Sequence, residues 1–257
     1  MADNKDSIAV VIHTYNEEKN IADCLDSAFL LTENIVLIDM ESTDKTTEIA
    51  RSKNARTFTF PHSHYVEPSR EFGIKQAQAD WVFILDADER LTENLATEIK
   101  GAIKSSEFTS YKLPRKNIFG GKKWLKHGGW WPDMQLRLIK TASFRKWPKE
   151  IHSTPIIEGE EGMLNNPILH HFHGDLETMV QKTIVFEGIE SDLLYKAGKA
   201  TSTRNIMRKF LGELYRRLFR DRGFLDGKIG IIESIYQAFS KTITYLYLYE
   251  KRESRTL

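Results

Sequence analysis

The stretch Trp81-Val82-Phe83-Ile84-Leu85-Asp86-Ala87-Asp88-Glu89 decides how the chain is read. Five consecutive apolar residues run straight into three acids. A short apolar run bounded by polar residues reads as a strand buried on both faces. Such a strand delivers its carboxylates at its carboxyl edge, where open α/β sheets bind ligands. Two carboxylates one residue apart can hold a divalent cation that keeps its waters and also grips phosphate oxygens. That is the chemistry of a nucleotide-diphosphate site.

Working outward, strand and helix patterns alternate over residues 8–100. Ile8 to Ile12 and Ile35 to Ile38 read as buried strands, and Thr57 to Phe60 as a short one. Helices are expected over Glu17 to Leu30, from the Ser42-Thr43-Asp44 cap to about Lys53, over Glu67 to Ala77, and over Thr92 to Ser105. This alternation predicts an α/β fold, Rossmann-like, with a mostly parallel sheet and helices on both faces. After residue 106 the pattern changes. Tyr111 to Arg115 and Gln135 to Ile139 read as strands. Between them, Gly120-Gly121 and Gly128-Gly129-Trp130-Trp131-Pro132-Asp133 suit a loop with aromatic platforms. Residues 175–250 read as helical throughout.

Composition narrows the function classes. The chain has 257 residues and a net charge of +1, which argues against a generally basic nucleic-acid binder. Its 40% hydrophobic content suits a soluble globular protein. The single cysteine, Cys24, lies among Ile21, Leu25 and Ala28 at helical spacing and reads as a buried structural thiol. The first five residues carry no apolar run, so no leader is expected. No apolar stretch reaches about 18 residues, so no membrane-spanning helix is expected.

Polar residues gather at the carboxyl ends of the proposed strands. Thr14 and Glu17 follow the first, Asp39 ends the second, and Asp86 and Asp88 end the strand after the Arg70 helix. Asp39 is placed to accept hydrogen bonds from a base or ribose; its other reading is a cap for the next helix. Arg70 is expected either at the nucleotide or its phosphates, or as a solvated charge. Asp133, on the aromatic loop, is the candidate base, with a simple turn carboxylate as the alternative. Gln135 and Arg137 share a strand face with it, so Arg137 is expected to neutralise phosphate or to orient Asp133. His152 is a candidate third metal ligand or phosphate contact, or a structural histidine. His170-His171-Phe172-His173 lacks any accompanying Cys2His2-like spacing, so zinc is not expected.

Val11 to Glu18, Ile38 to Thr46, Ser69 to Ile74 and Leu85 to Glu89 together resemble family 2 glycosyltransferases of the GT-A fold. Gly129 to Leu138 and Arg222-Gly223-Phe224-Leu225-Asp226-Gly227 look like one branch, the lipopolysaccharide-core glucosyltransferases of the WaaE/KdtX type. The resemblance implies a GT-A domain over 1–175, a helical C-terminal extension over 176–257, and an inverting enzyme using a nucleotide-diphosphate sugar, a UDP-sugar foremost. It matches Thr14, Glu17, Asp39, Arg70 and Asp86 to donor contacts, Asp88 to the metal position (Mg²⁺ or Mn²⁺), and Asp133 to the base. One departure stands out. The family usually has Asp-Asp-Gly-Ser or Asp-Ser-Gly-Ser where this chain has Asp39-Met40-Glu41-Ser42, and the missing glycine bears on the turn beside the base.

From Lys196 to Lys228 ten Lys/Arg face three acids, a local balance of +7 against +1 overall. Phe210, Leu211, Leu214, Tyr215 and Leu218 are interleaved at helical spacing. A basic amphipathic helix suits an anionic membrane surface; the alternative is an appendage packed on protein. The expected acceptor is a saccharide, lipid-linked as in a lipopolysaccharide core, met from the cytoplasm on the inner face of the membrane. Rival readings are transfer to polyprenyl phosphate or protein, a nucleotidyltransferase, and a nucleotide-sugar sensor. A nucleotidyltransferase would normally carry a Gly-rich basic loop where Thr14-Tyr15-Asn16-Glu17 stands.

Overall fold

A computed structural model of the protein describes residues 6–104, 107–172 and 176–253. Residues 1–5, Ser105 and His173 of the histidine run lie outside the described residues. Contacts divide the chain into two compact units: Met1–Lys116 with Met134–His170, and Asn117–Asp133 with His171–Leu257.

In the first unit, strands β1 (Ile8–Thr14), β2 (Ile35–Asp39), β3 (Arg56–Thr59) and β4 (Trp81–Asp86) alternate with helices α1 (Ile21–Ala28), α2 (Thr46–Ser52) and α3 (Glu67–Ala77). The order β3-β2-β1-β4 is parallel throughout. Beyond β4 follow β5 (Glu89–Arg90), helix α4 (Glu93–Ala102), β6 (Ser110–Phe119), β7 (Lys123–Trp124), β8 (Asp133–Lys140), β9 (Phe144–Lys146), β10 (Ile156–Ile157), β11 (Glu161–Met163) and β12 (Ile168–Phe172). β8 joins β4 antiparallel, with Phe83 opposite Leu138. β12 joins β5 antiparallel, with His170 opposite Glu89.

The buried strands work as their sequence demands. Successive side chains point to opposite faces. Val10, Ile12, Leu37, Phe83 and Leu85 pack with Ile21, Cys24 and Leu25 of α1 and Leu95 and Ile99 of α4. Ala9, Val11, Val36, Ile38, Val82 and Ile84 pack with Ile74 and Ala77 of α3 and with Trp147. Both faces are therefore covered, which is why these strands lack polar alternation. Each fully buried large side chain contributes about 1.5–3 kcal/mol. Cys24 is wholly buried and burial pushes its thiol pKa well up, in keeping with a structural role.

α1 starts four residues later than its apolar spacing predicts. The carbonyl of Glu17 accepts from the amides of Asn20 and Ile21, which closes a turn ahead of the helix. Residues 175–250 are not one helical run either. They form α5 (Leu176–Lys196), α6 (Thr203–Tyr215) and α7 (Gly227–Glu253). α5 stops two residues before Gly198, which adopts φ +70°, a left-handed conformation that ends helices. Between α6 and α7 lie a π-helical turn at Arg216–Arg220 and a 3-10 turn at Gly223–Asp226. No helix among the described residues is long and apolar enough to cross a membrane.

Candidate active site

Parallel register brings the strand-end residues of the first unit to one edge. Thr14 stands opposite Asp39, and His13 opposite Asp86. Thr14 and Asp39 are both buried. Asp39 Oδ2 accepts from the Ser42 amide at 3.0 Å, but Asp39 Oδ1 and Thr14 Oγ1 have no partner among the described residues. An unsatisfied buried polar group costs about 1–3 kcal/mol. Two such oxygens at the edge where α/β sheets bind ligands form a ready acceptor pair for a base or ribose. The capping alternative for Asp39 does not describe α2: Asp44 Oδ1 accepts from the Thr46 amide there, at 3.0 Å.

The turn after Asp39 forms here without a glycine. Glu41, which replaces it, adopts φ +62°. That left-handed conformation costs an L-residue about 1–2 kcal/mol. The strained turn is held from outside. Asn16 Oδ1 accepts from the Thr43 amide, and the Asn16 and Glu17 amides donate to Ser42 Oγ and Thr46 Oγ1, all at 2.8 Å. Glu17 itself is half-buried, and its Oε2 accepts from Asn20 at 2.7 Å.

The end of β4 is the opposite case, fully partnered. Asp86 Oδ1 lies 2.6 Å from Arg70 Nη2, and its Oδ2 lies 2.7 Å from Arg137 Nη2. Arg137 also reaches Glu89 Oε1 at 2.6 Å, while Glu89 Oε2 accepts from the Asp86 amide at 3.0 Å. Arg115 stands 3.6 Å from Glu89. Burial alone would raise the Asp86 pKa; Arg137 and Arg70 outweigh it and hold the carboxyl well below the usual range. Glu89 is fully buried, and burial with the Asp86 charge beside it raises its pKa despite Arg137. Burial opposes the charge of Arg137, but the two carboxylates raise its pKa further.

Arg70 is thus a buried ion-pair partner and not a solvated charge. Its Nη1 donates to His13 Nδ1 at 3.0 Å, and His13 Nε2 donates to the Ser69 carbonyl at 3.3 Å. That pairing fixes a neutral imidazole, and burial together with Arg70 depresses its pKa. Gly73 explains how α3 comes so close to β1: a Cβ there would lie 2.7 Å from Val11 Cγ1 and 2.8 Å from His13 Nε2.

Asp88, half-buried, points Oδ2 toward His170 Nε2 at 3.4 Å. Among the described residues no group of three or more His, Cys, Asp or Glu side chains gathers to hold a metal. A lone carboxylate fits Mg²⁺ or Mn²⁺ only if phosphate oxygens and waters complete the shell, the usual arrangement for such cations at nucleotides. His152 is exposed and adopts φ +60°; its amide donates to Glu67 Oε1 at 2.7 Å at the start of α3.

In the second unit, Asn117 Nδ2 donates to Asp133 Oδ2 at 3.0 Å and to the Trp130 carbonyl at 3.2 Å. Trp130 lies 4.9 Å from Phe172, and Trp131 makes an edge contact with Trp124 at 5.3 Å. Asp133 opens β8 and Arg137 lies four residues along it, committed to Asp86 and Glu89. Sequence reasoning overlooked Glu89, His13, Arg115 and Asn117. Glu89 alone carried a signal, as the third acid of the opening stretch.

The model of the family described as glycosyl transferase family 2 matches residues 9–161. The chain belongs to this family. An uncharacterized glycosyltransferase of Rickettsia typhi is 27% identical, covering 96% of this chain and 87% of that protein. The lipopolysaccharide core biosynthesis glycosyltransferase LpsC of Rhizobium meliloti is 25% identical, covering 95% and 92%. Among solved structures, a mycobacterial protein is 14% identical with a TM-score of 0.51, covering 77% of this chain and 76% of that one. The family 2 glycosyltransferase described here has the expected GT-A α/β fold.

Proposed function

We propose that this glycosyltransferase moves a sugar, with inversion, from a nucleotide-diphosphate donor, foremost a UDP-sugar, to a saccharide acceptor carried on a lipid as in a lipopolysaccharide core. The observation that carries the donor half is the pair of buried oxygens Thr14 Oγ1 and Asp39 Oδ1, unpartnered among the described residues, on the sheet edge that Asp86 shares and just beyond which Asp88 follows. In this reading Thr14, Asp39 and Glu17 bind the nucleoside. Arg70 and Arg137 hold the Asp86 carboxylate in place. Asp88 would hold a Mg²⁺ or Mn²⁺ ion, which supplies positive charge to the departing diphosphate. His152 remains a proposed phosphate contact or further ligand.

Asp133 takes the proton of the acceptor hydroxyl as that oxygen bonds to the anomeric carbon. The bond from that carbon to the diphosphate breaks, and its electron pair leaves with the phosphate oxygen. Asn117 holds one oxygen of Asp133 and leaves the carboxylate charge for proton capture. Homology to LpsC supports the acceptor class. α6 supports contact with an anionic lipid surface from the cytoplasmic side: Met207, Leu211 and Tyr215 are exposed at four-residue spacing beside exposed Arg204 and Arg208.

Turnover of a panel of UDP-, GDP- and dTDP-sugars should require Mg²⁺ or Mn²⁺ and release one nucleoside diphosphate. Asp88→Ala should abolish it, and Asp133→Asn should slow it about 10²–10⁴-fold. Wild-type rates in both variants would overturn the reading. Flotation with anionic liposomes at low salt should carry the protein upward; no binding there would remove the membrane contact.

A further inference from the structure

The motif Arg222-Gly223-Phe224-Leu225-Asp226-Gly227 has no role in the donor site. We propose that Asp226 is a positioning residue for the loop that carries Asp133, so that the C-terminal extension shapes acceptor activation. This rests on the reading of Asp133 as the base.

The contacts lie wholly within the second unit. Asp226 is buried. Its Oδ2 accepts from the amides of Lys126 and His127, both at 2.8 Å, and its Oδ1 lies 3.0 Å from His127 Nδ1. One carboxylate thus takes three donors from two consecutive loop residues. The next residues need such a clamp. Gly128 and Gly129 adopt φ +69° and +81°, and glycine is the residue that loses most freedom when ordered. The Gly128 amide donates to the Asp221 carbonyl at 2.7 Å, and its carbonyl accepts from Arg217 Nη1 at 3.0 Å. The Arg217 guanidinium also lies 5.4 Å from the centre of the Trp130 ring. Asn117 closes the path by holding both the Trp130 carbonyl and Asp133.

Gly223 of the motif and Gly230 just beyond it let this clamp form. A Cβ on Gly223 would lie 2.6 Å from Ser234 Oγ and 2.7 Å from the Arg217 carbonyl. A Cβ on Gly230 would lie 2.0 Å from the Gly223 carbonyl. Close approach of these segments sets Asp226 under the loop. A base misplaced by about 1 Å can cost about 10²-fold in rate.

The experiment combines steady-state kinetics with amide hydrogen exchange on Asp226→Asn, Asp133→Asn and the double variant. Asp226→Asn should lower kcat for transfer about 10²-fold, leave donor KM within about twofold, and speed exchange at Lys126 and His127. Added to Asp133→Asn it should cost less than about threefold more, because both changes act on one step. Arg217→Gln should show the same pattern more weakly, and it stands in if Asp226→Asn does not fold. Wild-type kcat in Asp226→Asn, or a full second loss in the double variant, would overturn the proposal. Full activity of Asp133→Asn would instead sink the base reading; kcat loss with faster loop exchange in Asp226→Asn would still support the clamp.

Discussion

The end of β4 and the paired ends of β1 and β2 lie on the same sheet edge, yet their carboxylates live in opposite circumstances. Asp86 has a guanidinium on each oxygen, and its neighbour Glu89 shares one of them. Asp39 has an amide on one oxygen and, among the described residues, nothing on the other, beside an equally unpartnered Thr14 Oγ1. The first arrangement is complete without a ligand and holds its shape by charge. The second is incomplete, and the stability it forgoes is returned when a hydrogen-bond donor arrives. A donor site needs both, a rigid charged wall and an open acceptor pair, because fixed dipoles need no rearrangement when the substrate binds.

The comparison breaks first at Arg137. Removing one partner of a buried ion pair leaves an uncompensated charge and costs about 3–5 kcal/mol. Arg137→Ala should therefore lower the urea unfolding free energy by about that much. A loss below about 1 kcal/mol would mean the cluster is not held by charge.

Glu233 sharpens the comparison, since it is a buried carboxyl with one oxygen unpartnered among the described residues, far along the chain from any strand end. Burial pushes its pKa from 4.5 up to about 7, against weaker opposition from Gln237 and Arg217. The folded protein then keeps a proton that the unfolded chain releases. Stability should fall as pH rises from about 4.5 to about 7 and level off above. Glu233→Gln should flatten that slope, gaining on the order of 2 kcal/mol relative to wild type between pH 5 and pH 8. An unchanged slope in thermal unfolding would show that Glu233 is solvated.

Much of this was legible in the sequence where the chain obeys one strong rule. Trp81 to Leu85 is continuously apolar, so its burial and the outward placing of Asp86 and Asp88 followed. The Glu67 to Ala77 helix came out residue for residue. Glu89 was harder, because an acid after two others reads as solvated until Arg137 and Arg115 arrive from distant strands. His13 was hidden inside a strand, where its partner Arg70 lies 57 residues away. The clamp on the aromatic loop joins residues a hundred positions apart, and no local pattern announces such a contact. Glu41 marks another limit: the missing glycine suggested a changed turn, yet Glu41 itself adopts the left-handed φ that a glycine would take most easily.

The central claim is that Asp39 belongs to the nucleotide and not to the fold. Calorimetric titration of UDP with Mn²⁺ into wild type and Asp39→Asn tests it most directly. Asparagine can still accept from the Ser42 amide but loses the charge, so affinity should fall about tenfold or more while the melting temperature stays put. Equal affinities, or no UDP binding to either protein, would contradict the account.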